Sequence, residues 1–310
     1  MLNFKCNISI LWAILAASLY AISSPISKIL LKEIPPTLMA ALLYLGAGIG
    51  MTLIALLRYK KEKLKNEMRL TKKELPFTVA MVVLDIAAPI FLMIGLSMTT
   101  AENVSLLNNF EIVVTSLIAL IIFKEAIYKR LWVGIGLITV ASIILSVSDI
   151  SNISLSFGSI FVLLATICWG FENNCTRMLS VKDPLQIVII KGFGSGLGSL
   201  LISLILKETS KNTLYIIATL FLGFISYGLS IYFYVYAQRK LGAAKTSAYY
   251  AISPFIGVII SFFIFHEMPV KSFFIALFIM IIGTYFASTD SKKKNLIYYI
   301  GDSCCTKSEY

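Results

Sequence analysis

Long apolar stretches follow one another along this chain, and their length leaves little choice of solvent. About 20 apolar residues in a helix cross the hydrocarbon layer of a bilayer. Ten such stretches occur, near 8–31, 36–57, 77–98, 101–123, 131–149, 157–179, 184–206, 212–237, 243–265 and 270–289. Composition agrees, with 58% of the 310 residues hydrophobic and 14% charged, against about 25% charged in a soluble domain. The connections are short, the longest running from Arg58 to Pro76, and no stretch suits a water-soluble domain. The first apolar stretch is too long, and too quickly followed by a second, for a cleaved signal peptide. The expected fold is an all-α membrane protein with ten transmembrane helices.

The net charge of +11 would suggest nucleic acid if it were spread evenly, but it is not. Arg58, Lys60, Lys61, Lys63, Lys65, Arg69, Lys72 and Lys73 crowd the second connection. The other even connections carry Lys124, Lys129 and Arg130, then Arg177 and Lys182, then Arg239 and Lys240. Lys5 precedes the first span, and Lys292, Lys293, Lys294 and Lys307 follow the last. Only Lys32, Lys207, Lys211 and Lys271 fall on the opposite side, while Lys28, Lys191 and Lys245 lie within or at the ends of spans. Short cytoplasmic loops are the basic ones, so both termini are expected in the cytoplasm of a plasma-membrane protein. The basic charge is a topology signal and a contact for anionic lipid, not a nucleic-acid surface.

Soluble-enzyme chemistry finds no foothold. The five cysteines (Cys6, Cys168, Cys175, Cys304, Cys305) include no CxxC pair, which argues against a zinc ribbon, a redox motif and a disulfide scaffold. HExxH, GxSxG, Walker A and GxGxxG strings are absent, so no metal, cofactor or ATP hydrolysis is expected from this chain.

An internal repeat organises the spans. Phe123-Lys124-Glu125 closes one helix, and Phe265-His266-Glu267 closes another 142 residues later. Leu19–Lys28 aligns with Cys168–Arg177 at a shift of 149. The chain therefore divides into five-span modules at 1–150 and 151–290, followed by a cytoplasmic tail at 291–310. Five is odd, so the second module must be inserted upside down. Inverted repeats of this kind recur in secondary transporters, whose sites lie near the midplane between the repeats.

The segments Ser105–Glu125 and Thr246–Glu267, with the Trp169-Gly170 pair, resemble the EamA-type transporters of the drug/metabolite transporter superfamily. The resemblance covers nearly the whole chain. It implies ten helices, cytoplasmic termini, and a central cavity built chiefly by the first four helices of each half, with helices 5 and 10 peripheral. It also implies transport of amino acids, other metabolites or drugs, often outward. The first half departs from the pattern, with Tyr20-Ala21 in place of Trp-Gly and Ile112 where the second has Pro254.

An ionisable side chain at mid-membrane costs about 2.5–3.5 kcal/mol on insertion scales, so Asp85, Glu111, Glu172 and Lys191 need a cavity, a partner or a proton. Asp85 either lines a cavity or ties helices together. Glu111 shares a polar half-cylinder with Glu102, Ser105, Asn108, Asn109, Thr115 and Ser116, which cannot face lipid. It faces either a cavity or other helices. Glu102 itself fits a helix cap after Thr99-Thr100, and Lys245 can snorkel to the interface. Glu172 shares a face of its helix with Trp169 and Thr176; it can hold an ammonium group beside the aromatic ring or pair with Lys191. Gly192, Gly194, Gly196 and Gly198, like Gly46, Gly48 and Gly50, read as close-packing surfaces. Cys168 and Cys175 read as small packers and His266 as a loop residue. Tyrosines 232, 234, 236, 249 and 250 near span ends read as interface anchors. Tyr227 matches Asp85 at the 142-residue shift, which pairs the two across a midplane cavity.

The reading is thus a transporter and not an enzyme, secondary active or facilitative. It would export a small metabolite such as an amino acid by alternating access, with protons as a candidate coupling ion and the oligomeric state open. The alternatives are a multidrug or organic-cation proton antiporter and, further off, an intramembrane enzyme or a receptor.

Overall fold

The computed structural model describes residues 2–59, 69–99, 101, 104, 107–108, 110–125, 128–146, 157–266 and 271–288. Helices appear where the apolar stretches stand: α1 (Leu2–Ala21), α2 (Ser23–Leu30), α3 (Pro36–Tyr59), α4 (Leu75–Met98), α5 (Phe110–Ile121), α6 (Lys129–Ser146) and α7 (Phe157–Leu179). They continue as α8 (Pro184–Ile205), α9 (Thr213–Gly223), α10 (Ser230–Leu241), α11 (Ala243–Tyr250), α12 (Ser253–Phe265) and α13 (Lys271–Ser288). No strand occurs among the described residues. Among the described residues six segments are long and apolar enough to cross a membrane: Ile8–Leu30, Pro36–Arg58, Lys72–Met98, Pro184–Ile205, Thr213–Leu241 and Ala243–Phe265. α7 has the length, at 23 residues, but buries Glu172, Asn173, Asn174 and Thr176, which lowers its apolarity. The cap at Glu102, the polar positions Ser105 and Asn109, the basic run through Lys65, and the tail at 291–310 lie outside the described residues.

Where the sequence suggests unbroken spans, the structure interrupts four. The first breaks at Ile22 between α1 and α2, just ahead of Ser23-Ser24-Pro25, because a proline nitrogen has no hydrogen to give the preceding turn. The ninth breaks at Ala251-Ile252 ahead of Pro254, for the same reason. In the fourth, α5 begins only at Phe110, after a turn at Asn108. In the eighth, α9 and α10 are joined by a π-helical segment, Phe224–Leu229, that carries Tyr227. π segments inside helices frequently mark functional positions.

The exterior is apolar and the interior holds the polar groups. Leu57, Leu201, Phe221, Phe263 and Phe278 are exposed, whereas Asp85, Glu172, Lys191, Thr115, Ser195 and Gln238 are buried. Hydrocarbon accepts exposed leucines and phenylalanines and offers no hydrogen bonds to the others.

Helix pairing has a regularity of its own. α1 packs on α10, α11 and α12, while α7 packs on α4 and α5. α3 packs on α9 and the π segment, while α8 packs on α4; α3 also meets α8, α6 meets α13 and α5 meets α11. When the first span is matched with the sixth, the second with the seventh and so on, each of these pairings maps onto another or onto itself.

Glycines set the closest of these approaches. A Cβ on Gly192 would overlap the Gly48 backbone, and one on Gly196 would lie 2.8 Å from the Leu45 nitrogen, both on α3. Gly194 faces Val82 and Gly198 faces Ile86, both on α4. The two glycine pairs therefore serve two different neighbours. Polar ties also join the ends of the helices. At the end of the bundle that holds the even connections, Arg58 meets Asp183 at 3.5 Å, Lys182 meets Glu74 at 3.4 Å, and the Arg239 Nε donates to the Ser180 carbonyl at 2.6 Å. There the Ala243 amide at the start of α11 donates to Glu125 at 3.3 Å. Burial pushes the Glu125 carboxyl up from its usual range, against the opposing charge of Arg177 and the Ala243 amide. At the other end, the Lys28 ammonium donates to the Leu96 and Thr99 carbonyls at 2.6 Å each, closing the last turn of α4.

Gly192→Ala and Gly48→Ala are expected to cost about 1–3 kcal/mol through overpacking, visible as a lowered melting temperature in detergent. Gly136→Ala is the control. A Cβ there meets nothing within 4 Å, so the change should be neutral or stabilising by up to about 1 kcal/mol through helix propensity.

Candidate functional site

Two carboxylates and one ammonium group meet in the middle of the bundle. The Lys191 Nζ on α8 lies 2.8 Å from the Glu172 Oε1 on α7 and 3.1 Å from the Asp85 Oδ2 on α4. All three residues are at most 3% exposed, so each charge depends on the others for solvation. The Tyr44 hydroxyl on α3 donates to the Asp85 Oδ1 at 2.9 Å, and the Thr176 hydroxyl donates to the Glu172 Oε1. Lys191 thus joins one residue from each half of the sequence.

Glu111, in the first turn of α5, stands apart from this knot. Asn173 on α7 donates its amide to the Glu111 Oε1 and also reaches the Thr115 hydroxyl at 3.3 Å. Asn174 donates to the Thr115 carbonyl at 3.0 Å, and Gln238 on α10 donates to the Asn173 carbonyl at 3.1 Å. Among the described residues no lysine, arginine or histidine lies within ion-pairing distance of Glu111. Its chain neighbour Asn108 donates to the Tyr20 hydroxyl at 3.2 Å.

Around these groups lies an aromatic wall. The Tyr20 ring contacts Trp169 edge-on at 6.3 Å, Tyr227 at 5.7 Å and Tyr250 at 5.5 Å. Tyr44 contacts Tyr227 at 5.1 Å, and Tyr234 contacts Tyr250 at 5.0 Å. Two adjoining cavities open here, of about 450 and 410 Å³, each including the space at its mouth. The larger is lined by Glu111, Glu172, Lys191, Asn173 and the rings of Tyr20, Tyr44, Trp169, Tyr227, Tyr234 and Tyr250. The smaller shares Tyr20, Glu111 and Tyr250 with it and adds Asn108, Ser24, Ser247 and Ser253. The Tyr227 hydroxyl, with Ser23 and Tyr20 as polar neighbours, makes no hydrogen bond of ordinary geometry.

The seven candidate residues come together unevenly. Glu111, Glu172, Trp169, Lys191 and Tyr227 line the larger cavity and Asn108 the smaller one. Asp85 lines neither: its two oxygens are held by Tyr44 and Lys191. The Tyr44 ring in turn contacts Tyr227, so this tyrosine links the two residues that the repeat matches. Glu172 is bonded to Lys191 and lines the cavity beside Trp169. Tyr234 and Tyr250 are cavity walls, not interface anchors, because π and broken segments turn them inward. Tyr20 was recoverable from the repeat, since it stands where the second half has Trp169. Tyr44 and Asn173 carried no such signal. His266 ends α12 in a left-handed conformation, φ 57°, as a loop residue would.

Removing one partner of a buried ion cluster leaves an unpaired charge, which costs about 3–5 kcal/mol. Lys191→Met is therefore expected to lower stability by that order. Glu172→Gln in the same chain should recover part of the loss, and recovery should be full only when Asp85→Asn is added. Strictly additive losses in thermal unfolding would show that the three do not act as one cluster.

The profile of the EamA-like transporter family matches this chain twice, over residues 7–147 and 156–289. An uncharacterized transporter from Methanothermobacter thermautotrophicus (strain Delta H) is 28% identical over 270 residues, covering 82% of this chain and 78% of that protein. The uncharacterized transporter YyaM of Bacillus subtilis (strain 168) is 25% identical over 206 residues, 63% of this chain and 67% of the relative. A solved structure, described only as the crystal structure of a protein, superposes with a TM-score of 0.74 at 14% identity, covering 92% of this chain and 98% of the other. That likeness speaks to the fold alone. With the family profile spanning nearly all of the sequence in two copies, the chain belongs to the EamA-like transporter family and is a multi-pass membrane protein.

Proposed function

We propose that this protein is a secondary transporter, active or facilitative, that carries a small amphipathic metabolite by alternating access between two inverted five-span halves, residues 1–150 and 151–290. The observation that carries the reading is the aromatic-walled, charged cavity enclosed between helices of both halves. A lone membrane anchor or a packing scaffold has no use for three acids and a lysine where each costs about 2.5–3.5 kcal/mol to insert.

The inverted arrangement draws support from the helix pairings that survive exchange of the halves and from the odd number of spans in each. Interrupted helices at the cavity are also the form that transporter sites take. Here the breaks at Asn108 and at Ala251-Ile252 both flank it. In this reading the basic end faces the cytoplasm together with both termini and the tail at 291–310. The plasma membrane is the location, and outward movement is the direction that the family resemblance favours. Asp85, Glu111 and Glu172 are the groups that could exchange a proton for substrate, which makes protons the coupling ion of choice. The substrate binds at Glu111, Glu172, Trp169 and Tyr227, with Asn108 on the adjoining wall and Lys191 and Asp85 setting the local charge. Transport leaves the solute chemically unchanged, so no enzymatic step is needed.

Purified protein in liposomes tests this. Radiolabelled amino acids, purines and quaternary cations, offered with and without a pH gradient, should include at least one solute that crosses unaltered. Asp85→Asn and Glu111→Gln should each cut that flux tenfold or more while the protein still inserts; undiminished flux in both would move the site elsewhere. Tags at the two ends should be reached from the same side of the membrane, and tags on opposite sides would overturn the ten-span inverted reading.

A further inference from the structure

We propose that the cavity selects an organic cation with an apolar body, an amine or ammonium compound, over zwitterions and anions. The proposal rests on the transport reading for the fate of the bound cation, though not for its binding.

The charge balance of the site is the first argument. Two carboxylates, Asp85 and Glu172, converge on the one ammonium group of Lys191, and a third, Glu111, lines the same cavity apart from them. Lys191 is already committed to two of them, at 2.8 and 3.1 Å. An anion entering the cavity would find no uncommitted cation among the described residues and would meet the carboxylate of Glu111. The carboxylate of a zwitterion would meet the same obstacle. A cation would instead give Glu111 the counter-charge it lacks, in a setting where low dielectric strengthens the attraction.

Ring chemistry decides the kind of cation. Six aromatic residues wall the larger cavity, namely Tyr20, Tyr44, Trp169, Tyr227, Tyr234 and Tyr250. Ring faces attract ammonium groups and pack against hydrocarbon, so they suit an organic cation. A bare metal ion needs several oxygen or nitrogen ligands at once. No group of three or more histidine, cysteine, aspartate or glutamate residues arranged for a metal occurs among the described residues. Four of the hydroxyls are also turned to other work, Tyr44 to Asp85, Tyr234 to Ser247 at 2.8 Å, Tyr250 to Ser230 at 3.2 Å and Tyr20 to Asn108 at 3.2 Å, leaving their rings as walls.

A matched series of ligands tests the claim: phenethylammonium, phenylalanine and 3-phenylpropionate, which share a ring and differ in charge. Microcalorimetry on the purified full-length protein in detergent should show phenethylammonium binding at least tenfold more tightly than phenylalanine, and 3-phenylpropionate more weakly still. Glu111→Gln should weaken the cation tenfold or more, and Trp169→Leu severalfold. Should Glu111→Gln fail to fold, the wild-type charge series decides alone. Phenylalanine or 3-phenylpropionate binding as tightly as the amine would overturn the proposal. So would an amine affinity unmoved by Glu111→Gln, or no binding of any of the three at millimolar concentration. Solute counterflow in liposomes separates the two readings. Amine binding without exchange sinks transport and leaves the cation preference, whereas exchange of phenylalanine without amine binding does the reverse.

Discussion

Hydrocarbon cannot hydrogen-bond, and the molecule is arranged around that fact. Every polar side chain within a span must find a partner in the protein or line a wet space. Lys191 is where the demand is most acute. Placed on α8 among glycines that draw α3 and α4 close, its ammonium group draws in Asp85 and Glu172, and through Asp85 the hydroxyl of Tyr44. Without it, two buried carboxylates would repel each other at the centre of the bundle. The cluster therefore fixes how the helices around it sit and gives the neighbouring cavity its charge.

Close packing and open space are divided between different helices. α3, α4 and α8 meet along glycines, with backbones near enough that a methyl group would not fit at Gly192. The first, fourth, eighth and ninth spans are interrupted, by Pro25, by the turn at Asn108, by the π segment at Tyr227 and by Pro254. Interrupted helices turn side chains in directions a regular helix does not offer, and all four interruptions lie at or beside the cavity walls. A glycine-packed seam thus stands beside a set of interrupted helices.

Legibility from sequence varied with the kind of interaction. The Lys191–Glu172 pair could be anticipated because two opposite charges stood on consecutive apolar helices, each too costly to bury alone. The glycine faces of α8 could be read from spacing, although their two separate partners could not. Asp85 was expected to face Tyr227 on the strength of the repeat. Tyr44 bonds the one and contacts the other, and nothing about a tyrosine in an apolar helix distinguishes that role from packing. Tyr234 and Tyr250 looked like interface residues by their nearness to span ends. Helix breaks, set by one proline and one π segment, rotate them into the cavity.

By itself, then, the sequence determined the solvent, the all-helical class, the basic end of the bundle and the duplication, because each depends on composition and periodicity summed over many residues. Tertiary structure alone decided which carboxylates Lys191 holds, which acid stands apart from it with no counter-charge among the described residues, and which rings form the wall. Those outcomes depend on the rotation of each helix about its axis and on where it breaks, and a shift of one residue there sends a side chain to lipid or to the cavity.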